Sequence, residues 1–333
     1  MSLFLPILKR NGLLEDIHMT VCNVGSRKLG EHDDYASQGW HYFIPNLSIY
    51  GFDADADACD EANADIEARQ INWKEQHIPI ALGRANEERI LYVTKHPMCS
   101  SLYAPNEPYL ARMAGLPELV NLDFSFGIET TTLDDFCKHE GIQQIDFLQI
   151  DVQGADLDVL EGAREIINAG TLAVQIEVEF SHLYKDQPLF SDVDSFLRKH
   201  KFSLFDLSTS YRLRARSPIR SSLRQGQLLW ADAFYFWDLL SEEVDPAFKT
   251  PDNLLKSACI ADILSFPDYT IEILEYITLN YGDNSNYNFA DSIIESLSGF
   301  PDLVSKGLGN LPLIINIWDY VSAESKKVLS KKL

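Results

Sequence analysis

The sequence predicts an α/β fold: a mostly parallel seven-stranded sheet ending in an antiparallel hairpin, followed by a helical appendage. Three observations lead there. Strand-like and helix-like runs alternate from residue 18 to about 208, the pattern of a parallel sheet with helices on both faces. "GQLLWADAFYFWDL" then follows a strand across an arginine-rich stretch that holds no helix, and strands joined without a crossover helix pair antiparallel. Beyond "SEEVDPAFKTPD" the apolar residues keep only helical spacing: Leu254, Leu255, Ala258 and Cys259, then Ile273, Leu274 and Ile277, then Ile293, Ile294 and Leu297.

In chain order, "HMTVCNVG" reads as the first strand, with a loop and a short helix around residues 33 to 40. "LSIYGFDAD" is the second strand and "ADACDEANADIEARQ" its helix. "HIPIALG" is the third strand and "RILYVTK" an inserted one. "TTLDDFCKH" reads as a helix capped by threonine with acids in its first turn. "IDFLQIDV" runs into a helix through Gly154, on which Leu157, Leu160 and Ile167 share a face. "TLAVQIEVEF", the helix "DVDSFLRKH" and the strand "FSLFDLS" complete the alternation. The expected domains are residues 1–240 and a separable all-helical unit, 246–333, suited to self-association or docking. In that unit "TPD" at 250 and "FPD" at 266 and 300 suit helix starts, since proline is tolerated in a first turn and acid suits its positive end.

With 28 lysines and arginines against 50 aspartates and glutamates, the formal charge is −22, a field that repels phosphate backbones, so nucleic acid is not an expected partner unless a local basic patch overrides it. The five cysteines are scattered without a C-x-x-C pair, which suits a reducing compartment. "MSLFLPILKR" does not read as a signal peptide, and no run approaches the length of a membrane span, so a cytoplasmic location is expected.

Sites in such folds lie at the carboxyl ends of the strands. Gly25, in "VCNVGSRKLG", lets backbone approach a ligand there, although with only Gly30 beside it the dinucleotide pattern is incomplete. Asp53 ends the second strand, where an acid can accept from two ribose hydroxyls; Asp53, Asp55 or Asp57 could instead cap the following helix. Asp151 ends the fourth strand of the alternation. Glu177 and Glu179 point to one side of the fifth, and His182 follows in the loop. Ser100 and Ser101 in "CSSLY" are either ligand contacts or turn formers. His32 with Asp33 and Asp34 reads as a solvated loop.

These segments together resemble the FkbM family of S-adenosylmethionine-dependent methyltransferases. The matching elements are "NVGS", "YGFDAD", "IPIALG", "CSSLYAPN", "TTTLDDF", "IDFLQIDVQGADLDVLEGA", "IEVEFSHLYKDQPLFSDVDSFL" and "LLWADAFYF", from about residue 18 to 238. The resemblance implies the class I methyltransferase variant of the Rossmann-like sheet, with S-adenosylmethionine held by Asn23, Gly25, Ser26, Asp53, Ala81, Leu82 and Asp151. The family's usual aspartate is Asn23 here, and its alanine-asparagine is Ser26-Arg27. The implied reaction is methyl transfer to a hydroxyl of a sugar, glycan or related metabolite, with a small-molecule or glycan acceptor as partner. Removal of the hydroxyl proton falls to Asp151, Glu179 or His182. A divalent cation, if any, would sit on Asp151, Glu177 and Glu179.

Ser101, Arg214 and Arg216 are the expected acceptor contacts. Arg212, Arg214, Arg216, Arg220 and Arg224 follow the strand "FSLFDLS" and should emerge at the sheet's carboxyl edge, where they either form a solvated loop paired with some of the 50 acids or, through arginine forks, favour an anionic acceptor. A catalytically silent, partner-binding module and a nicotinamide-dependent oxidoreductase are the competing readings.

Overall fold

The computed structural model describes residues 2–28 and 38–320 of the chain. The expected helix near residues 33 to 40 falls largely outside them, as do Gly30, His32, Asp33 and Asp34. The strands are β1 (Met19–Val24), β2 (Leu47–Phe52), β3 (Lys74–Ile78), β4 (Ala81–Leu82), β5 (Glu87–Thr94) and β6 (Leu122–Thr131), then β7 (Phe147–Ile150), β8 (Ala173–Glu179), β9 (Phe202–Arg212) and β10 (Gln227–Trp237). The helices are α1 (Leu5–Arg10), α2 (Ala56–Arg69), α3 (Glu107–Leu110), α4 (Pro117–Val120), α5 (Leu133–Glu140) and α6 (Asp156–Glu161). They continue with α7 (Arg164–Gly170), α8 (Phe190–Lys199), α9 (Pro251–Ile263), α10 (Pro267–Tyr281), α11 (Ala290–Ser298) and α12 (Pro301–Lys306).

Seven strands form one sheet in the order β3-β2-β1-β7-β8-β10-β9. β7 is parallel to β1 and to β8, and β3 is parallel to β2. β10 runs antiparallel to both β8 and β9, which is the expected terminal hairpin. The registers Val24↔Ile150, Ile150↔Ile176 and Phe52↔Ile78 align the carboxyl ends of these strands. The next residues, Gly25, Asp53 and Asp151, therefore stand at one edge.

A second sheet, β4-β6-β5, corrects the reading of the third strand. That strand starts earlier than "HIPIALG" and stops at Ile78, since Pro79 has no N–H for a ladder. Ala81 and Leu82 then pair with Thr130 and Thr131 of β6 instead. The β6 segment itself carries a period of two in Leu122, Phe124, Phe126 and Ile128.

The helix after β7 is broken into α6 and α7. A Cβ at Gly162 would meet the carbonyl oxygen of Gly83 at 2.1 Å, so glycine permits a close approach there. The Asp134 carboxylate then starts α7 afresh by accepting from the N–H groups of Glu165 and Ile166, both at 2.9 Å. Leu160 and Ile167 are buried as expected, while Leu157 is only partly so.

The chain forms two compact units, but not residues 1–240 and 246–333. One contains 20–29 and 48–238, the other 1–19, 30–47 and 239–333. The amino-terminal segment joins the helical unit for a specific reason. The buried Asp262 carboxylate of α9 accepts from the N–H groups of Leu3, Phe4 and Leu5 at 2.8, 2.9 and 2.9 Å, satisfying the donors at the start of α1. Removal of the chain beyond residue 243 would strip α1 of this acceptor. Pro251, Pro267 and Pro301 do open α9, α10 and α12, each followed by aspartate. No helix among the described residues is long and apolar enough to cross a membrane.

Candidate active site

Backbone hydrogen bonds lock the three strand ends together. The N–H groups of Gly25 and Ser26 donate to the Phe52 carbonyl at 2.8 and 2.9 Å, and the Asp151 N–H donates to the Val24 carbonyl at 2.9 Å. A cavity of about 590 Å³ opens over this edge. Gly25, Asp53, Ala81, Leu82, Ser101 and Asp151 line it, as six of the residues singled out from the sequence.

The rivalry among the aspartates after β2 is resolved by geometry. Asp55 is the cap of α2, accepting from Asp57 and Ala58 N–H at 3.1 and 3.3 Å. Asp53 is left to face the cavity, its Oδ1 fixed by the Asp55 N–H at 2.8 Å. Burial pushes the Asp53 carboxyl above the usual range, while that N–H and the nearby Arg27 guanidinium pull it down. Arg27 also lines the cavity and pairs with Asp55 at 2.8 Å.

Asp151 has a partner that the sequence reading missed. The side-chain amide of Gln153 donates to Asp151 Oδ1 and to Glu177 Oε2, both at 2.7 Å. Gln153 is held in turn by Tyr184, whose hydroxyl lies 3.0 Å from Gln153 Oε1 and donates to the Cys99 carbonyl at 2.7 Å. Asp156 closes the same turn by accepting from Val152 and Gly154 N–H at 3.0 and 2.8 Å. Burial raises the carboxyls of Asp151, Glu177 and Glu179, and mutual repulsion raises the last two further. The only sequence sign of Gln153 was its place between a strand-end acid and Gly154, where its φ of 56° is tolerated.

Several expected site residues lie elsewhere. Asn23 is within β1, opposite Gln149, and does not reach the cavity. Ser26 is buried, its hydroxyl 3.1 Å from His77 Nδ1, in a chain that continues through His77 Nε2 to Glu75 at 3.3 Å. Glu179 is 3% exposed and closed off from the cavity. His182 is exposed and offers only its carbonyl, to Asn106, at 2.9 Å. The hydroxyl of Ser101 accepts from the Tyr103 N–H at 3.0 Å and that of Ser100 from the Thr94 N–H at 3.3 Å, so both serines chiefly shape the turn. Arg214 donates to the Gln227 side chain and lies 3.6 Å from Met113 Sδ; neither it nor Arg216 lines the cavity.

The acids suggested as cation ligands are also arranged otherwise, since the Gln153 amide occupies the space between Asp151 and Glu177. No group of three or more His, Cys, Asp or Glu among the described residues is placed to hold a metal ion. Part of the cavity wall is apolar, with Leu91 and Val93 of β5 paired with Phe126 and Phe124 of β6 across the ladder.

The 2-O-methyltransferase NoeI of Sinorhizobium fredii is 37% identical over 76 residues, 22% of this chain and 31% of NoeI, so the match spans about a third of that protein. Among solved structures, a methyltransferase FkbM from Methylobacillus flagellatus matches with a TM-score of 0.37 and 13% identity, over 66% of this chain and 43% of that one. TrmK of M. capricolum, solved with S-adenosylhomocysteine, matches with a TM-score of 0.33 and 11% identity, over 86% of this chain and 94% of that one. Residues 30–204, just over half of the chain, match the family model of the methyltransferase FkbM domain, and the chain therefore belongs to the FkbM methyltransferase family.

Proposed function

We propose that this protein transfers a methyl group from S-adenosylmethionine to a hydroxyl oxygen of a small-molecule or glycan acceptor. The observation that carries the reading is the convergence of Gly25, Asp53 and Asp151 on one cavity. The cofactor fits the residues present. Gly25 is a position where any side chain would collide, its Cβ falling 1.9 Å from the Asp151 carbonyl oxygen. Asp53 offers a fixed carboxylate for ribose hydroxyls, and Phe52, Ile80, Ala81 and Leu82 supply an apolar wall for a base. Five aspartates line the cavity (Asp53, Asp55, Asp57, Asp123 and Asp151) against Arg27 and Lys95, a balance that favours a cationic sulfonium.

S-adenosylmethionine supplies an electrophilic methyl group, so the protein's work is positioning and proton removal. Asp151, held by Gln153, accepts the proton of the acceptor hydroxyl, and its raised pKa makes it a stronger base than an ordinary carboxylate once ionised. Oxygen as the acceptor atom is supported by the name of NoeI. The acidic lining, and the position of Arg214 and Arg216 outside the cavity, favour a neutral acceptor over an anionic one.

Calorimetry with S-adenosylhomocysteine, and separately with NAD, tests the reading. Micromolar binding of the first and none of the second is expected. Silence to S-adenosylhomocysteine would overturn it and favour a partner-binding module.

A further inference from the structure

The arginine-rich connection between β9 and β10 belongs to no part of the cavity, and its composition is unlike the rest of the chain. From Tyr211 to Gly226 it carries five arginines and no acid, in a protein of formal charge −22. Arg212 lies over the Trp230 ring at 4.5 Å, and Arg214 is occupied by Gln227 and Met113. Backbone bonds from Ala114 to Leu213 and from Ala215 to Arg112 anchor the start of the loop. Past that anchor the guanidinium groups of Arg216, Arg220 and Arg224 are exposed and have no hydrogen-bond or ion-pair partner among the described residues.

Between them stand Ile219, 79% exposed, and Leu223, 88% exposed, the most exposed large apolar side chains among the described residues. Serines shape the turns that present them. The Ser217 hydroxyl donates to the Ile219 carbonyl at 2.9 Å, and the Ser221 hydroxyl accepts from Leu223 and Arg224 N–H at 3.0 Å. Apolar side chains offered to water beside unneutralised arginines match a surface with anionic headgroups over an apolar interior. An acidic protein would satisfy the arginines but give Ile219 and Leu223 less to enter.

We infer that the 216–224 loop docks this protein peripherally on anionic lipid bilayers, with the three arginines on headgroups and Ile219 and Leu223 inserted. β9 runs in the same direction as β8, since both are antiparallel to β10. The loop therefore leaves the edge of the sheet that carries Gly25, Asp53 and Asp151. Docking there turns the cavity side of the sheet toward the bilayer, where membrane-linked acceptors would be presented.

The test is co-sedimentation of the full chain with phosphatidylcholine vesicles, with and without phosphatidylglycerol. Binding only to the anionic vesicles is expected, weakening with added salt. Arg216→Gln/Arg220→Gln/Arg224→Gln and Ile219→Ser/Leu223→Ser should each weaken it about tenfold or more, with unchanged melting midpoints. Absence of vesicle binding would overturn the inference. So would undiminished binding of the serine variant, or capture by soluble heparin without binding to vesicles. None of these readouts depends on the cofactor or on methyl transfer.

Discussion

The α-carbon of Gly25 faces the Asp151 carbonyl so closely that an added Cβ would stand 1.9 Å from its oxygen. Two strand ends, β1 and β7, are thereby brought into backbone contact at the floor of the cavity. Gly25 also has φ +87°, a region that side chains other than glycine rarely adopt. Gly25→Ala should therefore displace the turn, lowering the melting temperature and weakening S-adenosylhomocysteine binding at least about tenfold, since strain of roughly 1–3 kcal/mol acts at the site itself. Calorimetry beside thermal unfolding separates the two effects, and unaltered affinity would mean that the cofactor does not use this turn.

Asp53→Ala should leave the fold intact and weaken S-adenosylhomocysteine binding by about ten- to a hundredfold or more. Asp55 carries the helix cap, so the substitution costs α2 little. What is lost are charge-assisted hydrogen bonds to ribose, each worth roughly 1.5–3 kcal/mol. A dissociation constant equal to that of the unmodified protein would remove Asp53 from the site.

Much of this site was legible because strand ends have a sequence signature. An apolar run that stops at an acid or glycine gave Gly25, Asp53 and Asp151, and the parallel register then brought them together. What misled was side-chain direction. Ser26 adjoins Gly25 in sequence but turns inward to His77, and Glu179 alternates correctly on β8 yet is buried and does not line the cavity. The arginines were placed at the correct edge, but their loop is tied to residues 112–114 and neither Arg214 nor Arg216 lines the cavity. β4 eluded the reading because a two-residue strand has no period. The Asp262 acceptor for α1 joins residues more than 250 apart, a relation that no local pattern encodes.

Asp151→Asn should lower turnover by about 100-fold or more, the usual contribution of a positioned general base, while changing cofactor affinity little. The amide keeps the shape of the carboxylate but cannot take the acceptor's proton. Because burial raises the Asp151 pKa, activity of the unmodified enzyme should rise with pH along a limb centred above the ordinary aspartate value of about 4. Steady-state rates across pH check both points. A variant with full turnover would shift the role of base to another group, and a limb centred near pH 4 would contradict the buried setting.

Asp156 gives the acid cluster a consequence for stability. Burial and the neighbouring Asp151 charge raise its carboxyl to about 7, against the backbone donors that pull it down. The folded protein therefore holds a proton there that the unfolded chain releases near pH 4. Stability from this group is fully present below the unfolded value and is lost as pH rises through the folded one. The melting temperature should accordingly fall between pH 5 and pH 7 more than surface charges alone would cause. In Asp156→Asn, which cannot ionise, the fall should be shallower. The variant starts lower at pH 5, because one oxygen cannot serve the Val152 and Gly154 donors as two do. Melting curves at several pH values read this directly, and an equally steep fall in the variant would assign the effect to Asp151, Glu177 and Glu179 instead.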